Sequence, residues 1–355
     1  MKNEVFVEPS TSKWEMHSCF SRFHMVPIHS LVFLPFVSLL FSLQAKAQDP
    51  EFSQFYASPL YLNPAFAGTS EFPRIVANYR NQWPKNGNTF VTYDFTYDNY
   101  VKSMKGGLGF QLLYDRELNG VVNSINASFF YAYHIKAGDQ LFFTMALQAG
   151  FLYKQFNTGG LIFPGMIDQG SGNITGNYPL PVENGQVIVP DFSFGMAGQS
   201  EDVYFGLAVH HLTQPNQSII EGDQVGKLPI KLTAHIGSKM HKFHRQLFSK
   251  EFTLSPNAVY QQQGSFKQAN LGLYMTEGWL TFGAWYRNNL SLRPNAAIAM
   301  IGYTGPKFQM GYSFDFSLSN LAAYSYGSHE LSLIFFFGKS SLRGLRNETM
   351  RIPSM

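Results

Sequence analysis

The chain has 355 residues, of which 45% are hydrophobic, 16% aromatic and only 14% charged, against roughly 25% charged in an ordinary soluble domain. Its mean hydropathy is −0.12 and only one apolar run approaches the length of a membrane helix, which excludes a polytopic helical membrane protein, while the aromatic content argues against disorder. The net charge of +3 gives no case for nucleic acid, and a single cysteine, Cys19, excludes a disulfide framework or a thiolate zinc site. What remains is a β-rich protein, either a large soluble sandwich or a membrane barrel.

The apolar run Leu31 to Leu43 has the length of a signal-peptide core and is short for a spanning helix. Ala45-Lys46-Ala47 follows it with the small-x-small pattern of a cleavage site, so residues 1–47 read as a signal peptide and Gln48 as the first mature residue. An uncleaved anchor is the alternative, and a start at Met16 would give a more usual length. Without residues 1–47 the chain carries a net charge of +2 and no cysteine.

Residues 48–71 hold Pro50, Pro59 and Pro64 and have no regular period. Proline fixes φ and lacks an N–H, so this is extended or turning chain. Phe52, Phe55, Tyr56, Tyr61 and Phe66 make it too aromatic to float in water. The expectation is a segment folded into a barrel lumen or against its periplasmic mouth, the alternative a disordered leader.

From residue 72 the chain alternates with period two, the signature of strands with two different faces. In Val122 to His134 the even positions read Val, Ser, Asn, Ser, Phe, Ala, His, while the odd positions from Ile125 to Ile135 read Ile, Ala, Phe, Tyr, Tyr, Ile. Phe308, Met310, Tyr312, Phe314 and Phe316 alternate with Gln309, Gly311, Ser313 and Asp315. Fourteen strands are expected, at 72–82, 89–98, 106–115, 122–135, 140–154, 190–197, 201–210, 230–238, 251–260, 266–276, 279–288, 296–304, 306–316 and 329–338. Many approach the roughly 9–11 residues of a transmembrane strand and carry aromatics near their ends, which favours an all-β transmembrane antiparallel barrel at 72–338 over a sandwich. The inner faces, read as Gly, Ala, Phe and Leu with few charges, argue for a filled lumen.

Connections support the count. With the barrel's start in the periplasm, the turns after even-numbered strands should be short. Those at 136–139, 198–200, 277–278 and 305 are short, and the long segments 155–189, 211–229 and 317–328 all follow odd strands. The basic stretch 239–250 is the exception, and residues 339–355 form a tail beyond the last strand.

Catalytic signatures are absent: no G-x-S-x-G, P-loop or H-E-x-x-H occurs. His210-His211 sits at a strand end, where support of a loop is the simplest role. His235, His241 and His244 read as parts of one solvated basic turn, and Asp191 as one of several acids around another. Arg74 and Arg80 share one face of the first strand and are placed to pair in the lumen with Glu51 or Asp94.

Certain stretches go beyond composition. Gln48-Asp49-Pro50 leads to Phe52-Ser53-Gln54, then to Asn63-Pro64 and Gly68, and Tyr79-Arg80 precedes Trp83. His211-Leu212 is followed by Gln214-Pro215, and the last strand opens with Gly327-Ser328-His329-Glu330. In this order the chain resembles the PorP/SprF family of Bacteroidetes outer-membrane proteins, with its Q-D-P-x-F-S-Q start, N-P-A-x-A-G and Y-R-x-Q-W elements, H-L-x-Q-P segment and G-S-H-E-I-S-L close. The named residues other than Gly327 and Ser328 are the candidate plug and partner contacts. The resemblance implies an integral, non-enzymatic barrel of type IX secretion and gliding, without cofactor. It implies as partners outer-membrane lipid, periplasmic ring and lipoprotein components, and a surface adhesin with a type B C-terminal domain. A passive porin or uptake channel is the rival reading, and a lipid hydrolase a remoter one. One departure is that Phe335-Phe336-Phe337 is followed by the tail rather than ending the chain.

Overall fold

The structure, a computed structural model, describes residues 48–84, 90–138, 141–159, 161–168, 170–174, 184–200, 203–219, 226–238, 241–243, 252–290, 294–318 and 326–338. The expected signal peptide and tail lie outside them. The strands are β1 (Arg74–Gln82), β2 (Phe90–Val101), β3 (Gly106–Glu117), β4 (Val122–Lys136), β5 (Phe142–Asn157), β6 (Asn184–Gln199), β7 (Val203–His210) and β8 (Lys231–Ser238), continued by β9 (His241–Phe243), β10 (Phe252–Gln263), β11 (Phe266–Glu277), β12 (Leu280–Asn288), β13 (Pro294–Thr304), β14 (Phe308–Ser317) and β15 (Ser328–Phe336). Each stave pairs antiparallel with the next, and β15 pairs with β1, so the sheet closes. β8 and β9 both pair with β10 as two pieces of one stave, which gives a barrel of fourteen. Closure removes the two free edges that an open sheet would expose to lipid.

All fourteen expected strands are present. The largest difference is β6, which begins at Asn184 rather than at 190. Its early residues pair with the far end of β5, Asn157 opposite Asn184, a partnership that no local pattern announces. The basic stretch does not disturb the count, because His241–Phe243 bonds to β10; residues 244–250 lie outside the description.

Alternation becomes two environments. On β2, Asp94, Thr96 and Asp98 are buried while Tyr93, Phe95 and Tyr97 are exposed. Phe129, Leu147, Phe151 and Ile188, each more than 60% exposed, stand on the outer surface, where lipid is the solvent. Aromatic rows mark its two borders. Tyr79, Tyr93 and Tyr114 lie side by side at the long-loop end, with ring centroids 5.2 and 6.2 Å apart. Trp279, Tyr303, Phe308 and Phe335 form a row at the short-turn end, at 5.7, 6.3 and 5.0 Å.

The inner face corrects one expectation. It is the polar face, and it carries Arg74, Arg80, Asp94, Asp98, Asp115, Arg287, Asp315 and Glu330, all buried. The lumen is filled, but by residues 48–68, whose apolar side chains Phe55, Leu60, Leu62 and Phe66 are buried together with Val76, Phe130, Tyr204 and Trp285 of the wall.

Replacing Leu147 with Arg at mid-strand on the lipid face should destabilise the barrel by about 2–4 kcal/mol in urea unfolding from vesicles.

Candidate functional site

Residues 48–68 run through the lumen from the long-loop end to the short-turn end, where β1 begins. Two prolines organise the path. Pro59 opens the single helical turn Pro59–Leu62, and Pro64 opens the 3-10 turn Pro64–Phe66. First-turn positions have no intrahelical use for an N–H, so proline is well placed there. Asn63 joins the two turns: its backbone N–H donates to Pro59 O, and its side chain accepts from the Ala65 N–H at 2.9 Å.

At the long-loop end Asp49 is held by three elements. Its carboxylate lies 2.9 Å from His211 Nε2 and 3.2 Å from Lys231 Nζ, and it accepts from Gln263 Nε2 at 3.3 Å. The other imidazole nitrogen, His211 Nδ1, lies 3.0 Å from Asp191. A ring between two carboxylates is the protonated form donating both N–H groups. Burial opposes that charge, but Asp49 and Asp191 outweigh burial and raise His211 from 6.5 to about 9. Burial likewise opposes the Asp49 charge, and His211 and Lys231 outweigh it, holding Asp49 below its ordinary value. His211 has a φ of +58°, rare for a residue with a Cβ. The contacts on both ring nitrogens stabilise that conformation.

Deeper in, four charges close over Ser53. The Glu330 carboxylate accepts from the Ser53 and Gln54 backbone N–H groups at 2.7 and 3.0 Å. Arg80 donates to Glu330 at 3.0 Å, to Asp315 at 2.9 Å and to Ser53 Oγ at 2.8 Å. Arg287 donates to Asp315 at 3.2 Å and to Ser53 Oγ at 3.0 Å. Ser53 Oγ in turn donates to Asp315 at 2.6 Å. Glu51 of the plug adds a third carboxylate, 3.8 Å from Arg287, and the plug also supplies the hydroxyl and N–H groups between the wall charges. Nearby, Ser58 donates to Asp94 at 3.0 Å, and Asn78 donates to both.

Lower still, Asn63 donates to the Met196 and Leu207 carbonyls at 3.1 and 3.3 Å and lies 3.1 Å from His235 Nε2. A Cβ on Gly195 or Gly206 would collide with the Asn63 side chain, so these strand glycines make its recess. At the short-turn end the Gly68 N–H donates to Asp98 at 2.9 Å, and Arg74 grips the same carboxylate with two bonds, at 2.8 and 3.0 Å. A Cβ on Gly107 would strike the Ala67 carbonyl.

The structure therefore gathers most of the expected residues into one interface. Asp49, Ser53, Gln54, Asn63, Gly68, Arg80, His211 and Glu330 all bridge plug and wall. Phe52 packs edge-on against Tyr61 at 5.1 Å, Pro50 O accepts from the Tyr61 hydroxyl, and Pro64 is buried beside Asn63. Gln48 is exposed at the mouth. Others are placed elsewhere. Tyr79 belongs to the outer aromatic row, and His329, bonded to Tyr312 at 2.8 Å, faces outward. Trp83 follows β1, its backbone N–H donating to Gly327 O at 3.0 Å and its ring edge-on to Phe90 at 5.8 Å. Leu212 is exposed; Gln214 closes a turn on His211 O, and Pro215 O accepts from the Leu228 N–H.

Three readings change. Arg74 pairs with Asp98 and Arg80 with Asp315 and Glu330, rather than with Glu51 or Asp94. Asp191 is not a solvated turn residue but 1% exposed against His211. His235 is not part of a basic turn; it points inward, 4% exposed, against Phe66 and Asn63. Asp98, Asp315, Lys231, Gln263 and Arg287 were not singled out. Their only signal is a charge or amide at the inward parity of an alternating strand.

A closed barrel with an apolar belt, two aromatic borders and a plugged polar lumen defines an integral outer-membrane β-barrel. The chain belongs to the family of the type IX secretion system membrane protein PorP/SprF, whose family model matches residues 44–335. No curated protein sequence matches it. Among solved structures it is similar to the CymD monoaromatic hydrocarbon channel, at 11% identity and a TM-score of 0.44 over 80% of this chain and 94% of that one. It is also similar to the P. putida toluene transporter TodX, at 10% identity and a TM-score of 0.44 over 78% and 92%. The Acinetobacter baumannii outer membrane protein Omp33 matches at 8% identity and a TM-score of 0.40 over 76% and 100%. What those proteins carry is not transferred to this chain.

The Asp49 latch should depend on pH. The His211 contribution is complete below 6.5 and fades as pH rises through about 9, whereas the Asp49 contribution is present above 3.8 and fades as pH falls. A spin label on Gln48→Cys should therefore be immobile near pH 6 and gain mobility above about pH 9, and His211→Ala should abolish that step. Glu330→Ala takes away one of the two carboxylates that face Arg80 and leaves the buried Ser53 and Gln54 N–H groups without their acceptor, and should cost about 3–5 kcal/mol of barrel stability.

Proposed function

We infer that this chain is a non-conducting, non-enzymatic outer-membrane barrel of the type IX secretion machinery, supporting export or surface anchoring of a large adhesin-type client and, through it, gliding. The observation that carries the reading is the lumen segment. Residues 48–68 occupy the bore from one mouth to the other and are bonded to the wall at every level, from Asp49 to Gly68. A porin needs an open polar channel; here the inward charges Arg74, Arg80, Asp98, Arg287, Asp315 and Glu330 are engaged by one another and by the plug. The barrel then acts through its surfaces. Periplasmic ring and lipoprotein components would meet the short-turn end, and a client with a type B C-terminal domain would be held at the long-loop end.

This reading includes removal of residues 1–47 as a signal peptide near Ala47 and takes 48–71 as the plug, 72–338 as the barrel and 339–355 as a tail. With the long loops outside, Asp49 is seated at the outer mouth.

In planar bilayers the mature protein should give no stable open pore; a large steady conductance would favour the porin. Deleting 48–68 should abolish surface display of one large protein, with barrel assembly followed separately by heat-modifiable gel migration. Unchanged display by a barrel that assembles normally would refute the reading. An epitope tag placed directly before Gln48, downstream of the cleavage site, should be accessible to antibody on intact cells.

A further inference from the structure

The plug does not fill the bore evenly. Beside it, at the long-loop end, a cavity of about 70 Å³ remains between Leu60 and the wall of β3, β4 and β5, several times the roughly 10–15 Å³ one water needs. Register explains the hollow. Asp115, Ser124 and Lys154 stand in one inward-facing row across the three strands, and Leu113, Asn126 and Leu152 in the next row down. The middle strand contributes the small members. Asp115 and Lys154 are therefore held roughly 10 Å apart at the backbone, two strand spacings, with only Ser124 between them.

The lining is a sorted one. Asp115, 7% exposed, accepts from Thr92 Oγ1 at 2.7 Å and makes no ion pair among the described residues, although Lys154 and a second lining carboxylate, Glu117, are near enough to act on it through space. Lys154 likewise has no carboxylate within ion-pair distance there; its nearest polar partner is Gln217 Oε1 at 3.4 Å. Leu60, Leu113, Leu152 and Leu228 give the cavity an apolar floor. His210, 7% exposed, also lines the cavity. Lys231 and His211, by contrast, are already committed to Asp49.

We propose that this cavity is a binding site for a small zwitterion with an apolar side chain, an α-amino acid in chemical class. The ammonium group meets Asp115, the carboxylate meets Lys154, and the side chain lies on the leucine floor. A lone anion or cation would satisfy one wall and leave the other charge unpaired. A hexose would bring hydroxyls but place them on leucines. The proposal does not rest on the secretion role.

The test is isothermal titration of the mature, detergent-purified barrel with four probes: L-leucine, N-acetyl-L-leucine, L-leucinamide and D-glucose. Leucine should bind saturably, and each capped analogue, lacking one charge, about tenfold or more weakly. Lys154→Met should bring leucine and leucinamide to equal affinity, and Asp115→Asn should do the same for leucine and N-acetyl-leucine. If Asp115→Asn fails to fold, the capped analogues on the native chain and Lys154→Met still decide. No saturable heat from leucine up to about 10 mM, capped analogues binding as well as leucine, or glucose binding as tightly would each overturn the proposal.

Discussion

The structure depends on one constraint: charges that point into a closed barrel must find partners inside it. Arg80 and Arg287 face Asp315 and Glu330 across the bore, and all four are almost wholly buried. Burying ions is costly unless they are paired and their remaining bonding positions filled. Wall residues supply these four charges, but the hydroxyl and N–H groups that complete the geometry come from Ser53 and Gln54. The plug is thus part of the wall's electrostatics. The same logic recurs at Asp98, shared by Arg74 and the Gly68 N–H, and at Asp49, shared by His211 and Lys231.

Backbone features follow from that engagement. His211 holds a left-handed conformation while its ring is clamped between Asp49 and Asp191. Gly107, Gly195 and Gly206 stand where any side chain would strike the plug. Glycine weakens a strand by leaving nothing to pack, and here Gly107 lets two backbones approach while Gly195 and Gly206 make room for the Asn63 side chain. The stretches by which the chain resembles its family, scattered from Asp49 to Glu330, become one continuous interface. It is extensive enough that release of the segment would require several buried pairs to break together, which suits a permanent seal better than a gate.

Much of this was legible in the residues. Strand number, strand direction and the outer face followed from alternation, because a side chain on one face meets lipid and its neighbour does not. The filled lumen was legible too, though for a partly mistaken reason: the inward face is polar, and aromatic bulk in the bore comes largely from residues 52–66. The site was legible as a set of motifs but not as a set of contacts. Arg80 was recognised as inward-facing, yet its partners are Glu330, 250 positions away, and Asp315, 235 away. His235 and Asp191 looked like turn residues because sequence neighbours say nothing about what lies across a barrel.

By itself the sequence determined which residues face in and which face out, since that depends only on parity along each strand and on the chemistry of the two surroundings. It also favoured a docked position for the proline- and aromatic-rich segment 48–71, with a disordered leader as the alternative. Only the tertiary structure decided which inward charge meets which. Partner choice depends on the register of fourteen staves and on how far each extends, as with β6 beyond 190, and closure of β15 onto β1 sets that register for the whole ring at once. The path of the plug was decided there too, because its groups find their partners only after the wall has brought Asp98, Glu330 and His211 to their places along one bore.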